Sequence, residues 1–553
     1  MLGIEPALAD LYDDVGVKGA VRVSGGLILR AHMATAVSLQ LERSRVRVPD
    51  PPSAFADLEK VRASDGRGLY GSAGDLYADA IFGRDSIECA DDLLHLRADL
   101  AREVILCLAR LQGTVDAPVG RHSNEEEVGK IHHEHRSLYV GGRRISKRSQ
   151  QLLELLSSMW GGDGQTLTYY GSADATPLYV RLVCRYCDLY GEELLEQTLV
   201  DRSGRTVSLC DSVLAALGWI VAKIERSDLG LLEYVRRNVP HGHPFQAWKD
   251  SGTGYIHRDG TIADYTQPVA IVEIQGYAYD ALTGAARLLG RGEWADLAQS
   301  LRRQTLRHLW MEADGYFAMG TDRDRNGGPR QIDSIASNGA LLLDSTLFDG
   351  LPDAQLYVEG ITRRISAPEF VTDVGIRCRS VAEDGLVDFQ DYHGSWTNWQ
   401  KDGYKVARGL ARQGFRRLAR QLEIRLLNGV NVAGANVEFL YVSPDGRVHY
   451  DFRDSSVGDH PQPILGTNRP EPVQAWTVTA MIGIKSRPRP AWPLNPWAAA
   501  LEDELTAAIP HAAPLRTRAE RQAVFDRRGD FVLNLSGGFE RDQAVRARGA
   551  GRA

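Results

Sequence analysis

The sequence has no excess of positive charge: its 553 residues include 65 Lys and Arg against 72 Asp and Glu, a net charge of −7. A general affinity for nucleic acid or for an anionic membrane needs a basic face, so neither partner is expected. Apolar runs are short, because none reaches the roughly 18 residues that cross a bilayer. The N-terminus lacks the basic segment and apolar stretch of a signal peptide. We therefore expect a cytoplasmic protein.

Cysteine is scarce, with six residues in the chain. Cys184 and Cys187 form a CxxC motif, but it lies inside an amphipathic run and has no second pair, which disfavours a zinc or redox site. Most of the cysteines lie in apolar helical contexts, where a free thiol acts as a small buried hydrophobe. We expect a reducing setting, no bound metal and no cofactor.

Apolar residues recur at three- and four-residue steps along much of the chain. In 415–427, for example, Leu418, Leu422 and Leu426 follow this spacing, which predicts an amphipathic helix. Strand signals are few and short, for instance near 436–450. Further helices are predicted near 85–112, 150–159, 174–190, 208–237, 273–290, 334–347, 353–365, 396–413 and 472–484.

Many of these helices are paired through tight turns, and no sequence repeat is visible. A closed ring of paired helices and an open helical solenoid both fit this pattern. Solenoid connections are usually short, whereas several loops here are long and rich in Trp, Asp, Gly and His, as at sites built on a rigid scaffold. We predict an all-α (α/α)6 toroid over 54–490. An N-terminal extension over 1–53 has weak strand signals, and 491–553 is expected to be extended or disordered after about 510.

The first motif with chemical content is Phe-Gly-Arg-Asp-Ser at 82–86, just before a predicted helix. Asp85 can cap that helix. Alternatively, Arg84 and Asp85 can bind vicinal hydroxyls of a sugar in fork geometry beside Phe82.

A second motif, Gly-Lys-Ile-His-His-Glu-His-Arg, spans 129–136. Its spacing is not HExxH, so a zinc-protease site is excluded. A metal site formed by His132, His133 and His135 is one interpretation. A polar binding loop that includes Glu134 is the favoured one.

Two further motifs place carboxylates next to aromatic side chains. Tyr170 precedes a turn and Asp174 then opens a helix, so Asp174 is either an N-cap or part of a site with an aromatic platform. Trp248, Lys249 and Asp250 lie in a loop among glycines. A carboxyl beside an indole in a partly dry loop has the environment of a general acid that works near neutral pH.

Glu438 is an isolated acid among apolar neighbours in 434–446. A carboxylate is rarely buried in such a segment without a partner or a role. A Gln-Ala-Trp motif at 474–476 opens the last strong helix signal.

Taken in order, these motifs resemble the glucosidase domain of glycogen-debranching enzymes, the amylo-alpha-1,6-glucosidase family. They also resemble its relatives among the inverting alpha-glucosidases and mannosylglycerate hydrolases. The resemblance covers roughly 70–490 and includes 272–279, the Glu438 segment and 474–476. Several short motifs in a fixed order are more specific than any one of them.

The resemblance implies an (α/α)6 toroid and hydrolysis with inversion, with Asp250 as the general acid and Glu438 as the general base. Such a mechanism needs two carboxyls roughly 6.5–9.5 Å apart on opposite faces of the sugar. The residues implied for the subsite of the cleaved bond are Arg84, Asp85, Asp174 and Trp248. Further substrate-binding candidates are Phe82, Glu134, His135, Tyr170, Lys249, Gln275, His393, Trp396 and Trp476.

The sequence also departs from the family pattern. Val437 stands where the family has a Pro before the base, so Asp402 and Glu471 are rivals of Glu438. The segment 392–403 differs as well, and the large N-terminal β-domain is absent or reduced to about 50 residues. Two alternatives to an alpha-glucosidase are a hydrolase of a small charged glycoside, such as mannosyl- or glucosylglycerate, and a non-catalytic carbohydrate-binding barrel.

Overall fold

The computed structural model describes residues 47–74, 77–387, 391–450, 470–487 and 496–529. Most of the predicted N-terminal extension and the tail after 529 lie outside these ranges. Within them the chain is mainly helical. The α-helices are α1 (Ala54–Val61), α2 (Gly83–Leu93), α3 (Ala98–Arg110), α4 (Lys147–Trp160), α5 (Ala175–Tyr190), α6 (Leu209–Arg226), α7 (Val272–Leu289), α8 (Gly292–Leu309), α9 (Ala354–Ile365), α10 (Gln400–Arg412), α11 (Arg416–Ala433), α12 (Ala475–Ser486), α13 (Pro496–Ala508) and α14 (Arg518–Phe525). The 3-10 helices are Glu193–Glu196, Ser337–Asp344, Thr346–Phe348 and Val381–Glu383.

The helices of the described ranges pack in two layers. The inner layer consists of α2, α5, α7, the 3-10 helix Ser337–Asp344, α10 and α12, in which each element contacts the next and α12 contacts α2. The outer partners, in the same order, are α3, α6, α8, α9, α11 and α1. Inner elements are strongly buried; in α2 every residue is buried. The apolar surface removed from water between the two layers is the main stabilising contribution to the fold.

Local sequence signals explain where several of these helices begin and end. Ser208 and Asp211 form a capping box that satisfies the first backbone N–H groups of α6. Gly290 ends α7 and Gly434 ends α11, each with a left-handed backbone at φ 67°. Glycine adopts this conformation without the steric cost that a Cβ atom would add.

Short antiparallel strands lie directly before three inner helices: β1 leads into α2, β8 into α7 and β15 into α10. Each belongs to a three-stranded sheet, with orders β1-β2-β5, β8-β11-β12 and β15-β16-β17. The strands are β1 (Ala80–Phe82), β2 (Glu134–Ser137), β3 (Tyr139–Val140), β4 (Arg143–Arg144), β5 (Thr166–Tyr169), β6 (Thr198–Val200), β7 (Thr206–Ser208), β8 (Ala270–Ile271), β9 (Trp310–Met311), β10 (Tyr316–Phe317), β11 (Gly320–Arg323), β12 (Pro329–Ile332), β13 (Val371–Thr372), β14 (Gly375–Ile376), β15 (Thr397–Trp399), β16 (Phe439–Val442) and β17 (Val448–His449).

The prediction of a largely helical chain is confirmed, as are the strands near 436–450, but three segments differ. The helix predicted over 208–237 ends at Arg226, because Ser227 is extended and Gly230 turns the chain at φ 64°. The segment near 334–347 forms a 3-10 helix rather than an α-helix. In the C-terminal tail, where extended or disordered chain was expected, Thr517 and Glu520 form a capping box that starts α14.

Buried ion pairs join the inner helices towards their C-terminal ends. Arg408 of α10 donates to Asp91 at 2.9 Å and to Asp92 at 2.8 Å, both on α2, and to Asp344 at 3.0 Å. Because these charges neutralise one another away from water, they fix the relative positions of three inner elements. No helix in the described ranges combines the length and apolarity needed to cross a membrane.

Candidate active site

The N-terminal ends of the inner helices meet around a small cavity. We call it the tryptophan cavity; its walls include Arg84, Asp174, Trp248, Trp399, Asp402 and Trp476. These residues come from the first turns of α2, α10 and α12 and from the segments before α5, α10 and α7. Helix N-termini carry a partial positive charge, which offsets part of the cost of burying carboxylates at this end of the molecule.

The close approach of two chain segments fixes the start of α2. A Cβ atom at Gly83 would lie 2.0 Å from the backbone oxygen of His132, so only glycine fits there. Strand β1 pairs with β2, with Phe82 opposite Glu134, and Gly83 donates its N–H to the His133 oxygen at 2.9 Å. The side chains of Arg84 and Asp85 are therefore held at the end of a fixed strand.

Arg84 links three carboxylates from three chain segments. Its Nη1 donates to Asp174 Oδ2 at 3.0 Å, its Nη2 lies 3.6 Å from Asp250 Oδ2, and its Nε lies 3.8 Å from Asp85 Oδ1. Asp174 precedes α5 without capping it and accepts from Ser172 instead. Burial raises the pKa of Asp85 to about 7 against the opposing charge of Arg84.

Asp250 is the most exposed of these three carboxylates. Its side chain is 16% exposed, against 1% for Asp174 and 10% for Asp85. Tyr392 donates its hydroxyl to Asp250 Oδ1 at 2.7 Å. A carboxyl that is held by one phenol, borders a guanidinium and keeps access to solvent can exchange a proton with a bound molecule.

The loop that carries Asp250 is tied to strand β11 by a buried histidine. His257 Nε2 lies 3.1 Å from Asp322 Oδ2, and its Nδ1 lies 3.7 Å from Asp333 Oδ1. Burial lowers the pKa of His257, but the two carboxylates outweigh this and raise it to about 9. The imidazolium is therefore the form that holds the loop at neutral pH.

We expect the stability of the protein to depend on His257 between pH 7 and 10. A raised pKa in the folded state gives a contribution that is complete below the unfolded pKa near 6.5 and is lost as the pH rises through 9. The free energy of unfolding of the wild type should fall over this range by on the order of 1 kcal/mol more than that of His257→Gln. Urea titrations of both proteins measure the difference; parallel pH profiles would show that His257 is not charged.

Glu438 lies next to strand β16 and pairs with the segment before α12. Its backbone N–H donates to the Glu471 oxygen at 2.9 Å, and the Glu471 N–H donates to Glu438 Oε2 at 3.0 Å. Burial raises the pKa of Glu438 well above its ordinary value; the Glu471 N–H opposes this, and the charges of Glu471 and Asp85 add to it. Ser72 donates to the Glu471 carboxylate at 3.0 Å.

Tyr77 is a buried phenol near both the candidate acid and the candidate base. Burial raises its pKa well above the ordinary value, and the charges of four nearby carboxylates add to this effect. These carboxylates belong to Glu438, Glu471, Asp250 and Asp85. Asp250 and Glu438, which are distant in sequence, thus both lie near enough to Tyr77 for their charges to act on its phenol.

Three indoles pack edge to face beside these carboxylates. Trp399 lies 5.8 Å from Trp248 and 5.6 Å from Trp476 between ring centres. The indole N–H groups of Trp248 and Trp476 are buried and have no hydrogen-bond partner among the described residues. Buried donors without partners are rare in native proteins, so these two point to a ligand with polar groups. Lys249 lies with its Nζ 3.7 Å from the centre of the Trp248 ring.

Several predicted site residues therefore lie together, namely Arg84, Asp85, Asp174, Trp248, Lys249, Asp250, Glu438 and Trp476. Phe82 packs on Tyr77, and His393 packs on Trp248. Asp402, a rival base, lines the tryptophan cavity; burial raises its pKa and the Lys249 charge lowers it.

Five other candidates make contacts within the scaffold. Glu134 pairs with Arg136, His135 with Thr168, and Gln275 with the backbone of Leu232. The hydroxyl of Tyr170 donates to the Leu111 oxygen at 2.7 Å. The indole of Trp396 donates to Asp384 at 3.0 Å. These bonds anchor the loops around the site.

Sequence reasoning missed Tyr77, Tyr392 and Trp399 as parts of this site. Tyr392 and Trp399 both lie in 392–403, the segment that departs from the family pattern, and an aromatic residue on a loop has no periodicity that would reveal its target. Tyr77 lies just before the Phe-Gly-Arg-Asp-Ser motif, and this proximity was the available signal.

No protein-family model matches the chain, and no curated protein does. Solved structures with a similar fold include a GH63 mannosylglycerate hydrolase from Thermus thermophilus in complex with glucose. It is 15% identical, with 78% of this chain and 98% of that chain covered and a TM-score of 0.49. An uncharacterized conserved protein from the same organism is also 15% identical, with coverage of 78% and 99% and a TM-score of 0.46.

Proposed function

We propose that this protein is an inverting glycoside hydrolase with an (α/α)6 toroid, in which Asp250 is the general acid and Glu438 the general base. The proposed substrate is an alpha-linked glucoside or gluco-oligosaccharide. The observation that carries this proposal is that Asp250 and Glu438, although distant in sequence, both lie near enough to the buried Tyr77 phenol for their charges to raise its pKa. Two carboxyl groups that can act on the same glycosidic bond are the minimum that glycoside hydrolysis requires.

The surrounding side chains suit a sugar ring. Three indoles, those of Trp248, Trp399 and Trp476, provide apolar ring surface for the C–H groups of a sugar. The N–H groups of Trp248 and Trp476, which have no hydrogen-bond partner in the described part of the chain, can donate to its hydroxyls. Arg84 with Asp174 offers a donor and an acceptor pair for vicinal hydroxyls. The electron-rich rings also stabilise the positive charge that develops on the sugar in the transition state.

In the proposed reaction, protonated Asp250 gives its proton to the glycosidic oxygen as the bond to the anomeric carbon breaks. Glu438 takes a proton from a water molecule that attacks this carbon from the opposite face, which inverts its configuration. The Arg84 guanidinium lies closer to the Asp174 carboxylate, at 3.0 Å, than to that of Asp250, at 3.6 Å. Asp174 therefore neutralises more of the Arg84 charge than Asp250 does. Burial raises the pKa of Glu438, which makes its carboxylate a stronger base when it is ionised.

A panel of glycosides with detection of the anomer by NMR tests this function. It should contain alpha-linked gluco-oligosaccharides and, for the charged-glycoside alternative, mannosyl- and glucosylglycerate. Asp250→Asn protein purified in parallel controls for contaminating glycosidases. We expect hydrolysis by the wild type alone, with release of the inverted anomer. A retained anomer would contradict inversion, and binding without hydrolysis across the panel would favour a carbohydrate-binding barrel.

Tyr392→Phe is expected to lower kcat/KM by roughly two- to tenfold, because an intramolecular hydrogen bond contributes about 0.5–1.5 kcal/mol. The hydroxyl of Tyr392 fixes the rotamer of Asp250. Tyr190→Phe is the matched control, since its hydroxyl donates to the Leu94 oxygen on the scaffold. Steady-state kinetics of both variants measure the effect; equal activities would remove Tyr392 from the site.

A further inference from the structure

Two histidines that the proposed hydrolysis does not use lie beside Asp250. One ligand atom each from His133, His243 and Asp250 lies within 4.8 Å of the other two. The two imidazole centres are 4.7 Å apart. His243 Nε2 is buried and has no hydrogen-bond partner among the described residues.

Both histidines are held through their backbones by the same residue. The backbone N–H of His133 donates to the Tyr169 backbone oxygen at 2.7 Å, and the backbone N–H of His243 donates to the Tyr169 hydroxyl at 2.8 Å. The ring of Trp160 stacks on Tyr169 at 4.1 Å and borders His243 at 5.2 Å. The backbone bonds and the aromatic contacts therefore keep the two imidazoles beside the Asp250 carboxylate.

Two imidazoles and one carboxylate form a ligand set that suits divalent transition metals and leaves positions open for water. Zinc–nitrogen bonds of about 2.0–2.1 Å place tetrahedral ligands roughly 3.4 Å apart, so closure needs shifts of about 1 Å. Arg84 near Asp250 opposes a cation, but its closest partner is Asp174, and Asp85 adds a third carboxylate. The local charge thus remains favourable to a cation.

We propose that His133, His243 and Asp250 form a binding site for one divalent transition-metal ion of the zinc type. A metal bound there coordinates the Asp250 carboxylate, which then cannot carry the proton for the glycosidic oxygen. Zinc then inhibits the hydrolysis, and this second statement rests on the function proposed above. Metal binding itself does not depend on that function.

Calorimetric titration of the full chain with ZnCl2 tests the site. We expect one zinc per chain in the wild type and at least tenfold weaker binding in His243→Asn, because changes even to supporting residues cost 10–100-fold in affinity. His511→Ala, which removes an exposed histidine, is the matched control and should bind as the wild type does. If His243→Asn fails to fold, as circular dichroism would show, His133→Gln decides. No stoichiometric binding, or equal binding by the variant, overturns the site.

Initial rates in ZnCl2 separate the two proposals. The metal site and the hydrolase function are both supported if zinc inhibits the wild type and a chelator relieves the inhibition. His243→Asn should then need at least tenfold more zinc for the same inhibition. If the protein binds zinc in calorimetry but hydrolyses no glycoside, the proposed metal site is supported and the proposed hydrolase function is contradicted. Active protein that binds zinc through His243 without losing activity overturns the inhibition.

Discussion

Asp250→Asn is expected to lower kcat/KM on an unactivated alpha-glucoside by about 10³-fold, since a positioned general acid contributes roughly 10²–10⁴-fold. Asparagine keeps the shape of the side chain and can still contact Tyr392 and Arg84, so binding should change little. The loss should therefore appear in kcat. Leaving groups that depart without protonation bypass the acid, so an aryl glycoside with an acidic phenol should lose far less.

Asp259→Asn is the matched control for this substitution. Asp259 lies in the same loop and caps a surface turn by accepting from Thr261 at 2.9 Å. We expect its kinetics to equal those of the wild type within about twofold, as is usual for exposed positions. Wild-type rates in Asp250→Asn on both substrate types would show that another group protonates the leaving oxygen.

Sequence reasoning anticipated the parts of this site that lie at helix starts. Asp174 and Asp85 were each open to a capping interpretation, and the structure resolves both: Phe82 is the N-cap of α2, and the Asp174 carboxylate accepts from Arg84 and Ser172 rather than from a helix N–H. A local motif shows that a carboxylate starts a helix, but its partner comes from a distant segment and is set by tertiary packing.

The same limit explains the residues that were missed. His243 is ordinary in its own loop, and its relation to His133 arises because both contact Tyr169. The neighbouring Tyr170 instead donates its hydroxyl to the backbone oxygen of Leu111. In an extended segment, successive side chains point to opposite faces, so adjacent tyrosines serve different surroundings and the sequence alone does not say which one faces the site.

The identity of the base is settled by comparing three isosteric variants, Glu438→Gln, Glu471→Gln and Asp402→Asn. We expect Glu438→Gln to lose about 10³-fold in kcat, within the range of a positioned base. Glu471 contacts Glu438 through its backbone N–H, which the substitution leaves in place. Its side chain should therefore matter mainly through its charge, and Glu471→Gln should keep most of the activity at neutral pH.

The pH dependence of kcat/KM in Glu471→Gln distinguishes Glu438 from Asp402 as the general base. The negative charge of Glu471 raises the pKa of Glu438, so its removal lowers that pKa. If Glu438 is the base, the acidic limb of the kcat/KM profile moves to lower pH in Glu471→Gln, because the base stays ionised in more acidic solution. If the acidic limb of Glu471→Gln does not shift, and activity is lost in Asp402→Asn but not in Glu438→Gln, the base is Asp402 in the tryptophan cavity.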